Sequence, residues 1–366
     1  MQQVFFHIPI RIPGWLPDGI PIYGYGTMLF LAFLLGTWVA GRRAIKAGIN
    51  PNRIQDLAIW LFVFGIAGAR LTYLVVFGVP FVQFFRLWDG GLIFYGSVIG
   101  GLVGFGFAYV LVIRKHHLSG WTIVDVIAPS IALGLCLGRI GCLLNGCCYG
   151  NVACPDCTFQ SHFPLSAPPR FDLVAKGYQT AAGFSLSETA EDPRTVGAVD
   201  PESQAGIAGL QAGDVIVAIN ETEVASPADI DLAMFRDWPR GRNDLSLKVK
   251  RGAAELTIGP IVPRTIGLHP TQIYSSVGNL IIFCMLLAFS PIKTRDGQVM
   301  NLLLLSYPLH RFLIESLRND TERYVLSSWW PAMTLSQNIS IGLFVFGLIL
   351  ALCIWHWAPK VKPVPA

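Results

Sequence analysis

The segments GLCLGRIGCLLNGCCYG (Gly134–Gly150) and LLLLSYPLHRFLIESLRND (Leu302–Asp320) each place an arginine inside an otherwise apolar run. A guanidinium at the middle of a membrane span costs roughly 3 kcal/mol even on a lenient insertion scale. Arg139 and Arg311 are therefore expected to be compensated by an anion or by an internal partner. The nature of that anion is the main clue to what the chain does.

The composition predicts a membrane protein. Hydrophobic residues make up 53% of the 366 residues and charged residues only 14%, whereas a soluble domain carries about 25% charged residues. The net charge of +4 is small, and the absence of a basic block with interleaved aromatic side chains argues against nucleic-acid binding. Residues 1–21, rich in proline and aromatic side chains, predict an arm at the membrane interface rather than a cleaved signal peptide.

Apolar runs of roughly 20 residues predict about seven transmembrane helices. These runs lie near residues 22–40, 57–78, 91–113, 122–145, 271–291, 297–317 and 337–357. Lysine and arginine concentrate in the loops after the first, third, fifth and seventh runs, which places the N-terminus outside and the C-terminus inside. Arg139 and Arg311 then lie at a similar depth in the outer leaflet, each about two turns from the outer end of its helix. Arg70, in the second run, lies further in and could join them or pair elsewhere.

A long insert interrupts the membrane part. Residues 151–268 hold much of the acidic charge and separate a first membrane part, 1–150, from a second, 269–366. The predicted fold is thus an α-helical polytopic membrane protein with an inserted α+β domain on the extracytoplasmic side.

Residues 183–260 of this insert resemble a PDZ domain. Ala205–Val224 predicts a short helix, a Gly-Asp turn and a strand. Ser226 and Pro227 predict the N-cap and first residue of a further helix, and 245–260 alternates as a hairpin does. PDZ domains bind an extended peptide along a sheet edge. The alternative is a spacer that only orients the membrane part.

Cysteines cluster at the outer end of the fourth run, at Cys147, Cys148, Cys154 and Cys157. The C-x-x-C spacing of the last pair suits zinc, but an exported cluster more often forms disulfides. Disulfides, free thiols and a metal site all stay open. The remaining cysteines lie in apolar runs and are expected to be small core residues: Cys136, Cys142, Cys284 and Cys353.

Polar residues of the sixth run share one helical face. Tyr307, Arg311, Glu315 and Arg318 are spaced four, four and three residues apart. A structural network, in which Glu315 neutralises the arginines, is one explanation of this pattern. The glycine-rich start of the third run suits anion binding or close helix packing.

The alternative explanation is a lipid phosphate. The arginines are predicted at the depth of a phospholipid head group, together with amide side chains such as those of Asn145 and Gln272. Two guanidiniums bind a phosphate with a bidentate geometry that lysine lacks.

The motifs together resemble one family, the prolipoprotein diacylglyceryl transferases, which are bacterial enzymes that lipidate lipoprotein precursors. The resemblance covers nearly the whole chain outside the insert. The matching segments are Tyr25-Gly26, Gly68-Ala69-Arg70, WDGGLIFYGSVIGG (Trp88–Gly101), GRIGCLLNGCCYG (Gly138–Gly150), HPTQIY (His269–Tyr274) and YPLHRFLIESLRND (Tyr307–Asp320).

The resemblance implies a reaction in the bacterial inner membrane. A diacylglyceryl group passes from phosphatidylglycerol to the lipobox cysteine thiol of a preprolipoprotein, without a cofactor or metal. The family's two essential arginines correspond to Arg139 and Arg311. Tyr307 is a further family position that we expect to be catalytic. The family positions expected to bind the lipid are Tyr25, Asn145, Gly150 and Glu315, and Arg70 and Gln272 are added from their own motifs.

The proton acceptor is the least defined part of this prediction. Tyr95 stands where many family members have a histidine proposed as the base, and Cys142 replaces an asparagine of some members. A phenol with a pKa near 10 is a poor base at neutral pH, so Tyr95 is expected to orient substrate. The base is then His269, or none is needed because the arginines favour the thiolate.

Two other function classes fit the sequence less well. A membrane protease would need a motif such as H-E-x-x-H or paired aspartates within the membrane, and neither occurs. A transporter or lipid receptor would be favoured by inverted repeats, which the sequence does not show.

Overall fold

A computed structural model describes residues 3–9, 20–86, 91–116, 118–154, 156–236, 238, 242–318, 323–324 and 332–358. The chain divides into two compact units. The first, here called the insert unit, comprises Met1–Phe5, Cys142–Gln272 and Leu317–Thr321. The second, called the helical unit, comprises Phe6–Gly141, Ile273–Ser316 and Glu322–Ala366.

Helices account for most of the helical unit. In chain order, the α-helices of the described residues are α1 Gly24–Lys46, α2 Pro51–Phe77, α3 Phe94–Ala108, α4 Gly120–Asn145, α5 Pro168–Ala175, α6 Gln204–Ile207, α7 Pro227–Asp231, α8 Thr271–Phe289, α9 Gln298–Glu315 and α10 Leu335–Trp357. A π-helix follows α3 at Tyr109–Arg114 and another follows α7 at Leu232–Arg236. A 3₁₀ turn covers Phe81–Phe85.

Five helices of the described ranges are long and apolar enough to cross a membrane, namely α1, α2, α4, α8 and α10. Helix α3 is apolar but shorter, and α9 carries a polar face. Large apolar side chains are exposed on these helices; Leu102 on α3 and Leu352 on α10 are 68% and 66% exposed. Such surfaces suit a lipid environment, so the chain is a helical protein of the membrane type.

Glycines let α2 and α3 approach closely. A Cβ added to Gly68 would lie 2.8 Å from the Cα of Gly100. A Cβ at Gly96 would collide with the Thr72 side chain. Gly96 and Gly100 of the third apolar run thus serve close packing of α3 against α2. The preceding Trp88-Asp89-Gly90, expected as part of a possible anion site, lie outside the described residues.

A buried carboxylate joins α4 to the start of α9. Asp125 in α4 is only 1% exposed. It accepts hydrogen bonds from Lys293 Nζ at 2.9 Å and from the backbone N–H groups of Gly297 and Met300 at 2.8 and 3.0 Å. Charge-assisted hydrogen bonds of this kind are among the stronger ones. They fix α4 and α9, the two helices that carry the arginines, to each other.

The strands of the described residues are β1 Val4–Ile8, β2 Ile20–Tyr23, β3 Phe184–Leu186, β4 Val196–Val199, β5 Val215–Ile219, β6 Thr222–Glu223, β7 Leu245–Arg251, β8 Ala254–Ile261, β9 Arg323–Tyr324 and β10 Met333–Thr334. The insert unit contains a four-stranded antiparallel sheet with strand order β6-β5-β7-β8 and a separate pair, β3-β4. Alternate residues of β7, Leu245, Leu247 and Val249, are fully buried in its core, as expected of a sheet with one covered face.

Two local predictions for this unit are confirmed. Ser226 caps α7 by accepting from the Asp229 N–H at 3.3 Å, and the Asp229 carboxylate accepts in return from the Ser226 N–H at 2.9 Å. Strands β7 and β8 pair as an antiparallel hairpin, with Gly252 at φ +62° in its turn. Glycine adopts this left-handed conformation without steric cost.

Arg170 is part of the core of the insert unit. It is 1% exposed and donates to the carbonyl oxygens of Leu165, at 3.1 Å, and Met234. Its guanidinium lies 4.7 Å from the Phe235 ring centroid and 5.8 Å from that of Trp238. Burial lowers the pKa of Arg170 to about 10. These contacts tie α5 to the segment after α7.

The C-x-x-C pair forms a disulfide between Cys154 and Cys157. Of the three outcomes that the sequence left open for this pair, a disulfide, free thiols or a metal site, the disulfide is therefore the one present. Cys142, Cys147 and Cys148 are not part of a disulfide among the described residues.

Candidate active site

Arg311 has an internal anionic partner. Its Nη1 lies 2.7 Å from Oε2 of Glu315, one turn further along α9, and Nη2 donates to Ser336 Oγ at 3.0 Å. The Arg311 side chain is 13% exposed. The spacing of four residues predicted this contact, and Ser336 of α10 is an addition that only the fold reveals.

Glu315 connects α9 to α10. Its side chain has no exposed surface, and it accepts a hydrogen bond from Thr334 Oγ1 at 3.1 Å. Thr334 is also the N-cap of α10, where its side chain accepts from the Gln337 N–H at 3.2 Å. A carboxylate near a helix N-terminus is stabilised by the helix dipole. Glu315 therefore fixes Arg311 at the junction of two helices.

His310, next to Arg311 in the sequence, lies close enough to Arg139 and Arg311 for the charges of both to act on its imidazole. It forms a hydrogen bond with the backbone of Ser275 in α8. Its Nε2 is buried and has no hydrogen-bond partner within the described part of the chain. A neutral imidazole nitrogen that carries no proton can accept one.

His310 packs against a glycine of α8. A Cβ added to Gly278 would lie 2.6 Å from His310 Nε2. The ring thus occupies space that only a glycine leaves free. Sequence reasoning did not single out His310, although a histidine next to an arginine in an apolar run was the signal available.

Two of the predicted tyrosines lie near the helices of the arginines: Tyr307 is part of α9, which carries Arg311, and Tyr25 packs against α4, which carries Arg139. Tyr25 in α1 packs against α4 two residues beyond Arg139, because a Cβ on Gly141 would lie 2.9 Å from Tyr25 Cδ2. Tyr307 lies one turn before Arg311 and packs against the buried cluster of α4, α8 and α9 residues. Tyr95 in α3 is 39% exposed.

Arg70 donates hydrogen bonds from its guanidinium to backbone carbonyl oxygens. It is 2% exposed and donates to the carbonyl oxygens of Gln83 at 2.7 Å, Arg86 at 2.9 Å and Gly91 at 3.3 Å. A buried guanidinium needs such acceptors. These three contacts hold the backbone of the segment between α2 and α3 to the Arg70 side chain.

Gly150 and His269 belong to the insert unit and contact each other. The Gly150 N–H donates to the His269 carbonyl oxygen at 3.0 Å. A Cβ at Gly150 would lie 2.7 Å from that same oxygen, so a side chain does not fit here. His269 also donates its backbone N–H to Asn151 at 3.0 Å. The close approach of the His269 backbone therefore explains why residue 150 is a glycine.

Asn145 and Gln272 also lie in the insert unit. Gln272 is 1% exposed and donates through Nε2 to the Cys147 carbonyl oxygen at 2.8 Å. The Asn145 carbonyl oxygen accepts from Gln3 Nε2 at 3.0 Å. The predicted residues are therefore divided between the two units, with the arginines, Tyr25, Tyr307 and Glu315 in the helical unit.

The prediction for Arg318 was wrong in one respect. Helix α9 ends at Glu315, so Arg318 is not on the helical face of Tyr307 and Arg311. The backbone leaves the helix because the Leu317 carbonyl oxygen accepts from the Asn151 N–H at 2.9 Å. Arg318 instead forms an isolated antiparallel bridge with Gly150.

A family model described as prolipoprotein diacylglyceryl transferase matches residues 15–353. The chain belongs to this family. A phosphatidylglycerol–prolipoprotein diacylglyceryl transferase of Rhodopirellula baltica is 26% identical over 374 residues, which cover 93% of this chain and 74% of the relative. The enzyme of that name from Clostridium tetani is 25% identical, covering 90% of this chain and 94% of its own length.

A third relative shows higher identity over a shorter region. The phosphatidylglycerol–prolipoprotein diacylglyceryl transferase of Thermosynechococcus vestitus is 35% identical over 165 residues, 43% of this chain and 58% of the relative. The resemblance to prolipoprotein diacylglyceryl transferases drawn from the motifs is thus confirmed, and the protease and transporter alternatives are not favoured.

Proposed function

We propose that this chain transfers the diacylglyceryl group of phosphatidylglycerol to the lipobox cysteine of preprolipoproteins. The products are a thioether-linked lipid and glycerol phosphate. Membership of the prolipoprotein diacylglyceryl transferase family over residues 15–353 is the observation that carries the proposal. This reaction is the first step of bacterial lipoprotein maturation.

Arg139 and Arg311 would hold the lipid phosphate. Both lie in the helical unit, near enough to His310 for their charges to act on it, which supports a shared anion site. The substrate thiolate attacks the glyceryl carbon, the carbon–oxygen bond to phosphate breaks, and the electron pair leaves with glycerol phosphate. Donors aimed at this developing charge accelerate the reaction. Tyr25, Tyr307 and Glu315 would position the arginines or the lipid.

His310 adds a candidate for the proton acceptor. Its Nε2 is buried and has no hydrogen-bond partner among the described residues, and the charges of Arg139 and Arg311 act on the imidazole. His269 remains a second candidate, and Tyr95 is assigned to orienting the substrate. Asn145, Gly150, Gln272 and Arg70 are assigned to substrate binding as predicted from their motifs, with Arg70 acting through the backbone that it holds.

Mass spectrometry tests the reaction directly. The purified protein, phosphatidylglycerol vesicles and a synthetic lipobox peptide should give a peptide with a thioether-linked diacylglyceryl group, together with free glycerol phosphate. A peptide with serine at the lipobox position is the matched control and should stay unmodified. Binding of the lipid without any thioether product would favour a lipid receptor and overturn the proposal.

We place the chain in the bacterial inner membrane with seven spans, the N-terminus outside and the C-terminus inside. The basic loops and the positions of α1, α2, α3, α4, α8, α9 and α10 support this arrangement. The parts 1–150 and 269–366 would form the membrane domain, and 151–268 would face the extracytoplasmic side, where the substrate cysteine is found.

We further propose that residues 183–260 form a PDZ-like module that binds an extended peptide. Strand β3 begins directly after Gly183, which has φ +91°, and it pairs with β4 alone among the described strands. Its other edge is therefore available for an added strand. The preprolipoprotein is the ligand that fits the proposed reaction.

Removing this module should weaken capture of long substrates but not the chemistry. Replacing 183–260 with a short Gly/Ser linker is expected to raise KM for a full-length preprolipoprotein by about tenfold or more, since a second binding site is lost. The value of kcat and the KM for a short lipobox peptide should stay unchanged. The deletion should include Arg170→Leu, because the Met234 acceptor of that guanidinium leaves with the module.

The control for this deletion is Arg170→Leu alone, compared by thermal melting in detergent and by the same two substrates. An unchanged KM for the full-length preprolipoprotein in the folded deletion variant would show that the module is only a spacer.

A further inference from the structure

Three cysteine side chains of the insert unit converge at the end of α4. The Sγ atoms of Cys142, Cys147 and Cys148 all lie within 4.8 Å of one another. We propose that these thiols form a binding site for a thiophilic metal ion, Zn²⁺ or Cu⁺, that clamps the turn after α4. The site would be structural, and it does not depend on the proposed transfer reaction.

The spacing of the sulfur atoms is close to that of a metal–thiolate site. Zinc–sulfur bonds of about 2.3 Å in a tetrahedral arrangement separate the sulfur atoms by about 3.8 Å. The three sulfur atoms, now at most 4.8 Å apart, would need to approach one another by only about 1 Å to reach this spacing. Thiolate is the ligand that Zn²⁺ and Cu⁺ prefer among protein side chains.

The backbone after α4 turns two of the cysteines back towards the third. Gly146 adopts φ +79°, and the N–H groups of Gly146 and Cys147 donate to the Cys142 carbonyl oxygen at 2.9 and 3.1 Å. Cys148 has φ +60°, a left-handed conformation that is uncommon for a residue with a side chain. An unfavourable backbone conformation held in place next to a cluster of ligand-type side chains points to function.

Neighbouring side chains fix this turn. Thr271 Oγ1 donates to the Cys148 carbonyl oxygen at 2.8 Å, and Gln272 Nε2 donates to that of Cys147 at 2.8 Å. Both donors are 1% exposed. Hydrogen bonds from a surrounding shell, which orient the ligand residues, are a regular feature of metal sites. A metal ion would thus reinforce the turn that carries Asn145.

A disulfide within the trio explains the geometry less well. The insert unit already contains the Cys154–Cys157 disulfide, so its compartment is one in which disulfides form. Any pair formed among three thiols, however, leaves the third without a function, and Cys147 and Cys148 are adjacent in the chain. One metal ion uses all three sulfur atoms.

Metal binding can be measured on the full chain in detergent. Protein purified with a chelator and without reductant, so that Cys154–Cys157 is preserved, is titrated with Zn²⁺ in one arm and anaerobically with Cu⁺ in another. We expect one equivalent of metal to remain after buffer exchange in at least one arm. Peptide mass spectrometry should then show Cys142, Cys147 and Cys148 protected from alkylation by that metal.

Serine variants locate the site. Each of the variants Cys142→Ser, Cys147→Ser and Cys148→Ser should weaken metal binding by about 100-fold or more. Loss of a group that only hydrogen-bonds a metal ligand already costs about 10- to 100-fold. Cys284→Ser and Cys353→Ser, at free cysteines of α8 and α10, are the controls and should bind as before. The proposal is overturned if neither metal is retained, or if two of the three cysteines are found as a disulfide. The alkylation experiment needs no substitution, so a misfolded variant does not affect it.

Discussion

Arg311→Lys is expected to reduce diacylglyceryl transfer by about 100-fold or more while the protein stays folded. The Arg311 guanidinium reaches Glu315 at 2.7 Å and Ser336 at 3.0 Å at the same time. A lysine ammonium can keep the ion pair with Glu315, but it cannot present a planar fork of donors to a phosphate as well. Arg311→Ala should abolish transfer entirely. The measurement is the rate of thioether formation on a lipobox peptide.

Arg53 supplies the matched control. It forms an ion pair with Asp56 at 3.5 Å, and the two side chains are 38% and 46% exposed. Exposed pairs contribute at most about 1 kcal/mol, so Arg53→Lys and Arg53→Ala should leave both the melting temperature and the transfer rate unchanged. Full activity of a folded Arg311→Ala protein would remove Arg311 from the reaction. Full activity of Arg311→Lys alone would reduce its role to that of a positive charge.

Most of the fold followed from local sequence signals. Apolar runs predicted the helices because each span needs a fixed length of apolar chain. Helix α3 ended earlier than predicted, at Ala108, because the backbone changes to a π-helix there. The cap of α7 was predictable because Ser226 and Pro227 act on their own turn. The burial of Arg170 was not, since its acceptors are 5 and 64 residues away in the chain.

The candidate site was predictable to the extent that it lies on one helix. The Arg311–Glu315 pair follows from helical periodicity. The prediction for Arg318 was wrong because α9 ends before it, where the Leu317 carbonyl oxygen accepts a hydrogen bond from Asn151, a residue distant in the sequence. His310 was missed because a lone histidine in an apolar run is usually a core residue, and its position beside Arg139 depends on how α4 and α9 pack. The convergence of Cys142 with its neighbours depends on a left-handed turn that the sequence does not predict for a cysteine.

Glu315→Gln is expected to lower the free energy of unfolding by about 3–5 kcal/mol and to reduce transfer strongly. The Glu315 side chain is completely buried, and it is the anionic partner of Arg311. Glutamine fills the same volume and can still accept a hydrogen bond from Thr334, but it leaves the Arg311 charge without compensation. Thermal melting and the thioether assay measure the two effects. A melting temperature equal to that of the unsubstituted protein would contradict this account of the pair.

The double variant Arg311→Met, Glu315→Gln separates a structural network from a substrate site. Replacing both members of a buried ion pair by uncharged residues of similar size is often neutral or stabilising. The double variant should therefore melt near the unsubstituted protein, although Glu315→Gln alone does not. If the pair served only to hold α9 against α10, this recovery of stability would restore transfer. Because we assign Arg311 to the lipid phosphate, the double variant is expected to be stable and inactive.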